Sequence, residues 1–317
     1  MLENAHNNRK DILNELAKIL SVSGASSEPQ VVANLIWNFT TDFNSSIAPI
    51  FNKHGVRISS AGVFVHQQPF VRFGSPNDLK TVEIGDLLLC VTRKRRNGAV
   101  SRNALLLQAK VVNKFPIAPD NPNQLDLYAF WPEFTYVRSG GLNGQSRKIT
   151  APDLYNGAKY LLIPGSRVSG CICCECCAEE CCCENCLCSM SSAYPYKPYL
   201  SNYYCFTREL YDLIFGNAGR AFIYQPDSNN TNWDQVITDL LGMTSKSKWM
   251  QRASGGFGGR VVSFACGAPS ALTLVSASPD LWQISNDSPP RVPPANHEPQ
   301  DDGGVSILEI TVEEAEG

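Results

Sequence analysis

The stretch VEIGDLLLCVTRKRRNGAVSRNALLLQAKVV, residues 82–112, decides how the rest of the chain is to be read. It holds two apolar runs, EIGDLLLCV and ALLLQAKVV, rich in Leu and Val and short enough to be buried strands. Between them RKRRNGAVSRN carries Asn97-Gly98, a turn signal, so the two runs are predicted to pair as an antiparallel hairpin. That hairpin brings Asp86 on one strand and Lys110 on the other into a setting built for a core. A buried charge costs several kcal/mol unless it is paired or ligated, so something must compensate both. A divalent metal held by Asp86 and by Gln108, with Lys110 polarising a water or phosphate oxygen beside it, would do so. The plainer reading of Lys110 is a salt bridge to Asp86 across the hairpin.

Ile84-Gly85-Asp86, a gap, then Gln108-Ala109-Lys110 resembles the site of the PD-(D/E)xK nuclease superfamily, which pairs one Asp with a downstream (D/E)xK. No Pro precedes Asp86, and Gln108 stands where an acid is usual; the QxK form is similar to the Mrr-like restriction branch. The resemblance covers residues 25–165 and implies an α/β restriction-endonuclease-like core in the order αβββαβ. It also implies metal-assisted hydrolysis of DNA phosphodiesters, with restriction or phage defence as the biological role. The catalytic set would be Asp86, Gln108, Lys110 and a further acid from the helix before the strands, for which Glu28 is the first candidate and Asp42 the second. The metal would be Mg²⁺ or Mn²⁺, because the proposed ligands are hard oxygens: the Asp86 carboxylate, the Gln108 side-chain carbonyl and the Ala109 main-chain carbonyl.

The flanking chain is compatible with that order. Residues 9–20 and 28–43 carry helical apolar stripes, the second opening on Ser27, Glu28 and Pro29. Residues 56–73 alternate like a strand or a bent hairpin, 121–134 read as a short helix ended at Pro132, and AKYLLIPG (158–165) reads as a further strand. Residues 193–284 continue as an α/β extension of the core: a helix over 206–216, a strand in RAFIYQ, a helix in NWDQVITDLLG and a strand in VVSFACG. Residues 1–24 form an N-terminal helical segment.

Two segments are of another kind. Residues 166–192 are a cysteine-rich insertion: ten of the 13 cysteines lie between Cys171 and Cys188, beside Glu175, Glu179, Glu180 and Glu184. Overlapping C-x-x-C pairs such as Cys171/Cys174 and Cys183/Cys186 have spacings that clasp tetrahedral zinc. An iron–sulfur cluster and a low-complexity surface insertion without fixed structure are the other readings. Residues 285–317 begin as a Pro-rich linker and end in VSILEITVEEAEG, an alternating acidic tail expected to add as an edge strand to its own sheet or to a protein partner.

Composition bounds the function. The 317 residues, 43% of them hydrophobic, suffice for one large core or two modest ones. The absence of a long apolar run and of a signal-peptide pattern points to the cytoplasm, with no membrane association. A net charge of −3 gives no global attraction for DNA, so binding would fall to a local patch. Arg93, Lys94, Arg95, Arg96 and Arg102, in and beside the hairpin turn, are the candidate. Four dispersed histidines and no dinucleotide or phosphate-loop fingerprint argue against triad hydrolysis and nucleotide-dependent chemistry. The competing reading is a non-catalytic nucleic-acid or protein binding module on a nuclease-like scaffold. A homodimer is compatible with either.

Overall fold

A computed structural model describes residues 2–21, 27–65, 69–113, 117–150, 154–165, 190–224, 232–245, 264–267 and 304–315. The cysteine-rich stretch, the zinc candidates Cys171, Cys174, Cys183 and Cys186 within it, and the Pro-rich linker lie outside these residues.

The helices begin with α1 (Leu2–His6), α2 (Arg9–Leu20), α3 (Glu28–Ser46) and α4 (Ala48–Asn52). There follow β1 (Val56–Phe64), β2 (Phe70–Ser75), β3 (Asp78–Glu83), β4 (Leu87–Lys94) and β5 (Val100–Val112). After α5 (Pro122–Phe130) come β6 (Phe134–Val137), β7 (Ser146–Arg147), α6 (Leu154–Gly157) and β8 (Ala158–Pro164). The remainder is β9 (Ser191–Tyr194), β10 (Ser201–Cys205), α7 (Phe206–Phe215), β11 (Arg220–Ala221), α8 (Trp233–Ser245), β12 (Phe264–Gly267) and β13 (Ser306–Glu314).

The fold is α/β. One mixed sheet runs β10-β9-β8-β5-β4-β13-β1-β12, with β11 paired to β5 below the start of β8. The runs LLLCV and ALLL are apolar at every position because this sheet is covered on both faces. Leu87, Leu89, Val91, Leu105 and Leu107 pack with α2, α3 and α7, while Leu88, Cys90, Ala104 and Leu106 pack with α5, α8 and a second, four-stranded sheet, β3-β2-β6-β7. No helix among the described residues is long and apolar enough to cross a membrane.

The hairpin of β4 and β5 forms around Asn97-Gly98, with Leu87 opposite Leu107 and Lys94 opposite Val100. Gly98 sits at φ 80°, a left-handed conformation that a side chain would strain. Through the large sheet the elements α3, β1, β4, β5, α5 and β8 follow one another in sequence, with β4 antiparallel to β5 and β5 parallel to β8.

Three expectations are corrected. EIGDLLLCV is not one strand: Glu83 closes β3 in the small sheet, and Ile84-Gly85-Asp86 crosses to the large one. The crossing passes so close to its neighbours that a Cβ on Gly85 would meet Leu106 Cδ1 at 2.7 Å and the Tyr128 hydroxyl at 2.9 Å. Similarly, residues 56–73 form no hairpin, since β1 and β2 belong to different sheets.

The largest correction concerns the acidic tail. β13 is not an edge strand; it lies in the interior of the sheet, antiparallel to β1 over eight residue pairs and parallel to β4 over eight. Its alternation conceals this because the polar residues that precede and separate Ile307, Leu308, Ile310 and Val312 are themselves buried: Ser306, Glu309 and Thr311. With both its edges paired, β13 offers no strand to a protein partner.

Arg93, placed by its sequence neighbours in a DNA-binding patch, is 7% exposed. Its guanidinium donates to the Leu213 carbonyl at 3.0 Å, at the C-terminal end of α7, and also to Asn103 Oδ1 and, at 3.3 Å, to Ser101 Oγ. A cation there joins the Gly216 amide, which donates to the same Leu213 carbonyl at 3.2 Å, and meets the negative dipole end of the helix. Burial, with a smaller contribution from Arg95, brings its pKa down to about 10, so it remains charged at neutral pH. Replacing Arg93 with Met should lower stability in urea unfolding by about 2–3 kcal/mol, because buried acceptors lose a charged donor. An unchanged unfolding midpoint would mean that α7 is not capped from β4.

Candidate functional site

The site arises where β5 outruns its neighbour. β4 begins at Leu87, opposite Leu107, and the Asp86 amide donates to the Leu107 carbonyl at 2.9 Å. Beyond that point no β4 residue pairs with β5, and side chains take over. Asp86 Oδ2 accepts from the Ala109 amide at 2.7 Å, and Glu28 Oε1 accepts from the Val111 amide at 2.9 Å. Two carboxylates thus prolong the ladder. The other oxygen of Glu28 lies 3.3 Å from Lys110 Nζ, an ion pair only partly open to solvent. Lys110 therefore pairs with Glu28 from α3 rather than forming the simple cross-hairpin bridge to Asp86.

Gln108 Nε2 donates to Asp86 Oδ2 in a short contact. Gln108 Oε1 in turn accepts from Gln124 Nε2 at 2.7 Å, and Gln124 also reaches the Glu83 carbonyl at 3.4 Å. Gln124 sits in the first turn of α5, whose start is fixed by Asn121: its side-chain oxygen accepts from the amides of Asn123 and Gln124. One turn further, the Tyr128 hydroxyl donates to the Ile84 carbonyl at 2.8 Å. Tyr160 on β8, the register neighbour of Gln108, packs its ring 5.6 Å from that of Tyr128. Its buried hydroxyl has no hydrogen-bond partner among the described residues.

The electrostatics follow from crowding acids into a poorly solvated place. Burial is the main cause that pushes the Asp86 pKa well above its ordinary value, and Glu83 adds to it. Lys110 and the Ala109 amide act the other way, and Glu28 raises it further. Burial first, then Asp86, likewise raises Tyr128 and Tyr160. Asp86 thus feels two further carboxylates, Glu83 and Glu28, against one ammonium, a formal excess of negative charge where desolvation is already costly.

Chemically, such a place favours a cation, and the donors are hard oxygens. Asp86 Oδ1 accepts no hydrogen bond among the described residues, which use Oδ2 alone. The expected ligand set needs revision, however. Gln108 turns its amide nitrogen to Asp86 and its oxygen to Gln124 and so displays no ligand oxygen, whereas Ala109, whose N–H meets Asp86, directs its carbonyl to the same side of the strand. Among the described residues no group of three His, Cys, Asp or Glu side chains is disposed to hold a metal. Asp86 and Glu28 are the carboxylates that would hold a divalent ion, and Gln108 is a donor that orients Asp86.

Other candidates lie elsewhere. Asp42 is exposed and stands 14 residues along α3 from Glu28, about 21 Å at the helical rise. The basic turn is at the far end of the hairpin, roughly 25 Å of strand from Asp86. Lys94 there pairs with Glu313 at 2.6 Å, Arg102 is half-buried, and only Arg95 and Arg96 are fully exposed. Conversely, Glu83, Gln124, Tyr128 and Tyr160 belong to the site and were not singled out from the sequence. The i, i+4 spacing of Gln124 and Tyr128, which puts both on one face of α5, was the available signal.

Comparison of the chain with protein-family models, with curated proteins and with solved structures gives no match.

Proposed function

We propose that this protein is a metal-dependent nuclease acting on DNA, on a restriction-endonuclease-like core made of α3, β1, β4, β5, α5 and β8. The observation that carries the proposal is the convergence of Glu28, Asp86 and Lys110, from three elements spread over more than 80 residues of chain, at the end of β5. A core packed only for stability gains nothing from crowding Glu83 and Glu28 on a buried Asp86 beside one lysine; a site that takes up a divalent ion and a phosphate does. Such an ion would supply charge neutralisation and a more acidic bound water. Of the chain's own groups, Lys110 presents a positive charge to a phosphate oxygen, Asp86 and Glu28 present carboxylates, and Gln108, held by Gln124, keeps Asp86 in one orientation.

Incubation of the purified protein with plasmid DNA in Mg²⁺, in Mn²⁺ and in EDTA tests this. Cleavage should require the ion and be lost in Lys110→Ala. Intact plasmid in all three conditions, with single-stranded DNA likewise intact under the same treatment, would favour the second reading, a binding module. The observation in its favour is that Asp86 Oδ2 and Glu28 Oε1 are engaged as caps of the β5 ladder.

Gln108→Glu distinguishes a ligand from an orienting donor. The substitution removes the amide donor to Asp86 and sets a second carboxylate against the first, so the protein in EDTA should melt earlier, by roughly 2–4 °C for each kcal/mol lost. Added Mg²⁺ should then raise its melting temperature more than that of the wild type. Equal Mg²⁺ shifts in the two proteins would show that this pair of residues does not face the cation.

A further inference from the structure

Among the described residues, Leu79, Val100 and Ile223 are large apolar side chains that stand exposed singly on three different elements. The exposed aromatics are distributed differently. Phe130, at the end of α5, is 62% exposed, and Tyr196 and Tyr199, in the loop after β9, are 42% and 48% exposed. Lys197 joins the two segments: its ammonium lies 5.2 Å from the centre of the Phe130 ring and pairs with Asp126 of α5. Asp126 also binds Lys80, which has Asp78 as a further partner at 3.9 Å, so two lysines meet two carboxylates and the half-exposed Lys197 is the cation presented beside the rings. Tyr194 extends the aromatic row, with its ring 6.4 Å from that of Tyr196. The loop is tied down by the Leu200 amide, which donates at 2.9 Å to the Ile117 carbonyl in the segment between β5 and α5.

The patch is therefore continuous with the site. α5 carries Gln124 to Gln108 at one end and Phe130 at the other, six residues or about 9 Å away along the helix. Folding gains nothing from leaving three rings in water, whereas rings interleaved with a cation suit one occupant well. Unpaired bases present flat faces to stack on aromatic rings, and the linking phosphates are drawn to the ammonium groups. Duplex DNA hides those faces inside its own stack.

We propose that Phe130, Tyr196 and Tyr199, with Lys197, form a stacking platform for single-stranded nucleic acid, which feeds the strand to the acidic site; this specifies the substrate of the nuclease reading and rests on it. The test is binding of fluorescein-labelled dT15 followed by anisotropy in EDTA, where no cleavage interferes. The wild type should bind dT15 more tightly than a blunt duplex of equal length. Phe130→Ala, Tyr196→Ala and Tyr199→Ala should each weaken binding about tenfold, whereas Tyr196→Phe and Tyr199→Phe should retain it, since the ring and not the hydroxyl stacks. All three positions are exposed, so circular dichroism should show an unchanged fold in the five variants. An rU15 arm separates the sources: equal affinity assigns the platform to either sugar, and preference for dT15 assigns it to DNA.

Undetectable dT15 binding by the wild type, undiminished binding in the alanine variants, or tighter binding of duplex would overturn the proposal. Failure of the nuclease reading looks different. In that case plasmid and dT15 stay intact in Mg²⁺ and Mn²⁺, while binding and its loss in the alanine variants persist.

Discussion

Asp86→Asn should abolish cleavage and at the same time make the protein harder to unfold. The asparagine oxygen can still accept from the Ala109 amide and from Gln108, so the local hydrogen bonds survive. What disappears is a negative charge held beside Glu83 and Glu28 with little solvent. The sign follows from the direction of the shift. Because burial raises the folded-state pKa of Asp86 above its unfolded value, its contribution to stability is full below the unfolded pKa and is lost as pH rises through the folded one. At neutral pH the carboxylate therefore costs stability, and the amide removes that cost. Activity should run the opposite way, falling on acidification at a pH above that at which an ordinary Asp titrates, since the neutral acid holds no cation. Loss of activity of more than about 100-fold is expected, because altering even an outer-shell partner of a metal ligand costs 10–100-fold. Lys110→Ala should match it in activity without the gain in stability, since it leaves Glu28 unpaired. Plasmid cleavage and urea titrations from pH 5 to pH 8 read both quantities. An Asp86→Asn protein that is inactive but less stable would show that the carboxylate is a structural cap and nothing more.

Deleting residues 304–317 should leave a protein that does not fold. Ile307, Leu308, Ile310 and Val312 are all essentially inaccessible, and burying each contributes about 1.5–3 kcal/mol, hence roughly 6–12 kcal/mol together. That sum rivals the whole stability of a typical domain, about 5–15 kcal/mol, before the ladders to β1 and β4 are counted. A synthetic peptide of residues 304–317 added during refolding should restore a cooperative transition. The control is Glu313→Gln, which breaks partly exposed pairs with Lys94 and Arg57 and should cost less than about 1 kcal/mol. A truncated chain with a normal near-ultraviolet dichroism spectrum would contradict the interior placement of this strand.

Local signals carried well where local physics decides. The apolar stripes of α2 and α3, the Asn97-Gly98 hairpin, β8 before Gly165 and the stop of α7 at Gly216 all depend on residues a few positions apart. Glu28 lies beside Lys110, a meeting that nothing in the spacing of the two residues could show. What stayed illegible was non-local. The alternation in SILEITVEE suits a strand with one wet face, and only its two partners, more than 190 residues upstream, decide that both faces are dry. A run of arginines and lysines reads as one surface patch, yet successive strand residues point to opposite faces, and α7 claims Arg93 while Glu313 claims Lys94. Gln124 and Tyr128 looked like ordinary helix positions because their partners, Gln108 and the Ile84 carbonyl, become neighbours only after the sheets have assembled.

The interior position of β13 also fixes an order of events during synthesis. β4 leaves the ribosome 219 residues (306 − 87) ahead of the strand that will lie against it. At about 5–20 residues per second, that is roughly 10–40 s during which β1 and β4 each present a bare edge. Both run antiparallel to one another in the finished sheet, so the nascent chain can join them directly and form a sheet one strand short. β13 must then part them, unless a chaperone keeps the slot open. Until it enters, Asp86 stands at the head of a strand that is not yet fixed in place, and the acidic site is assembled only once residues 306–314 have been made.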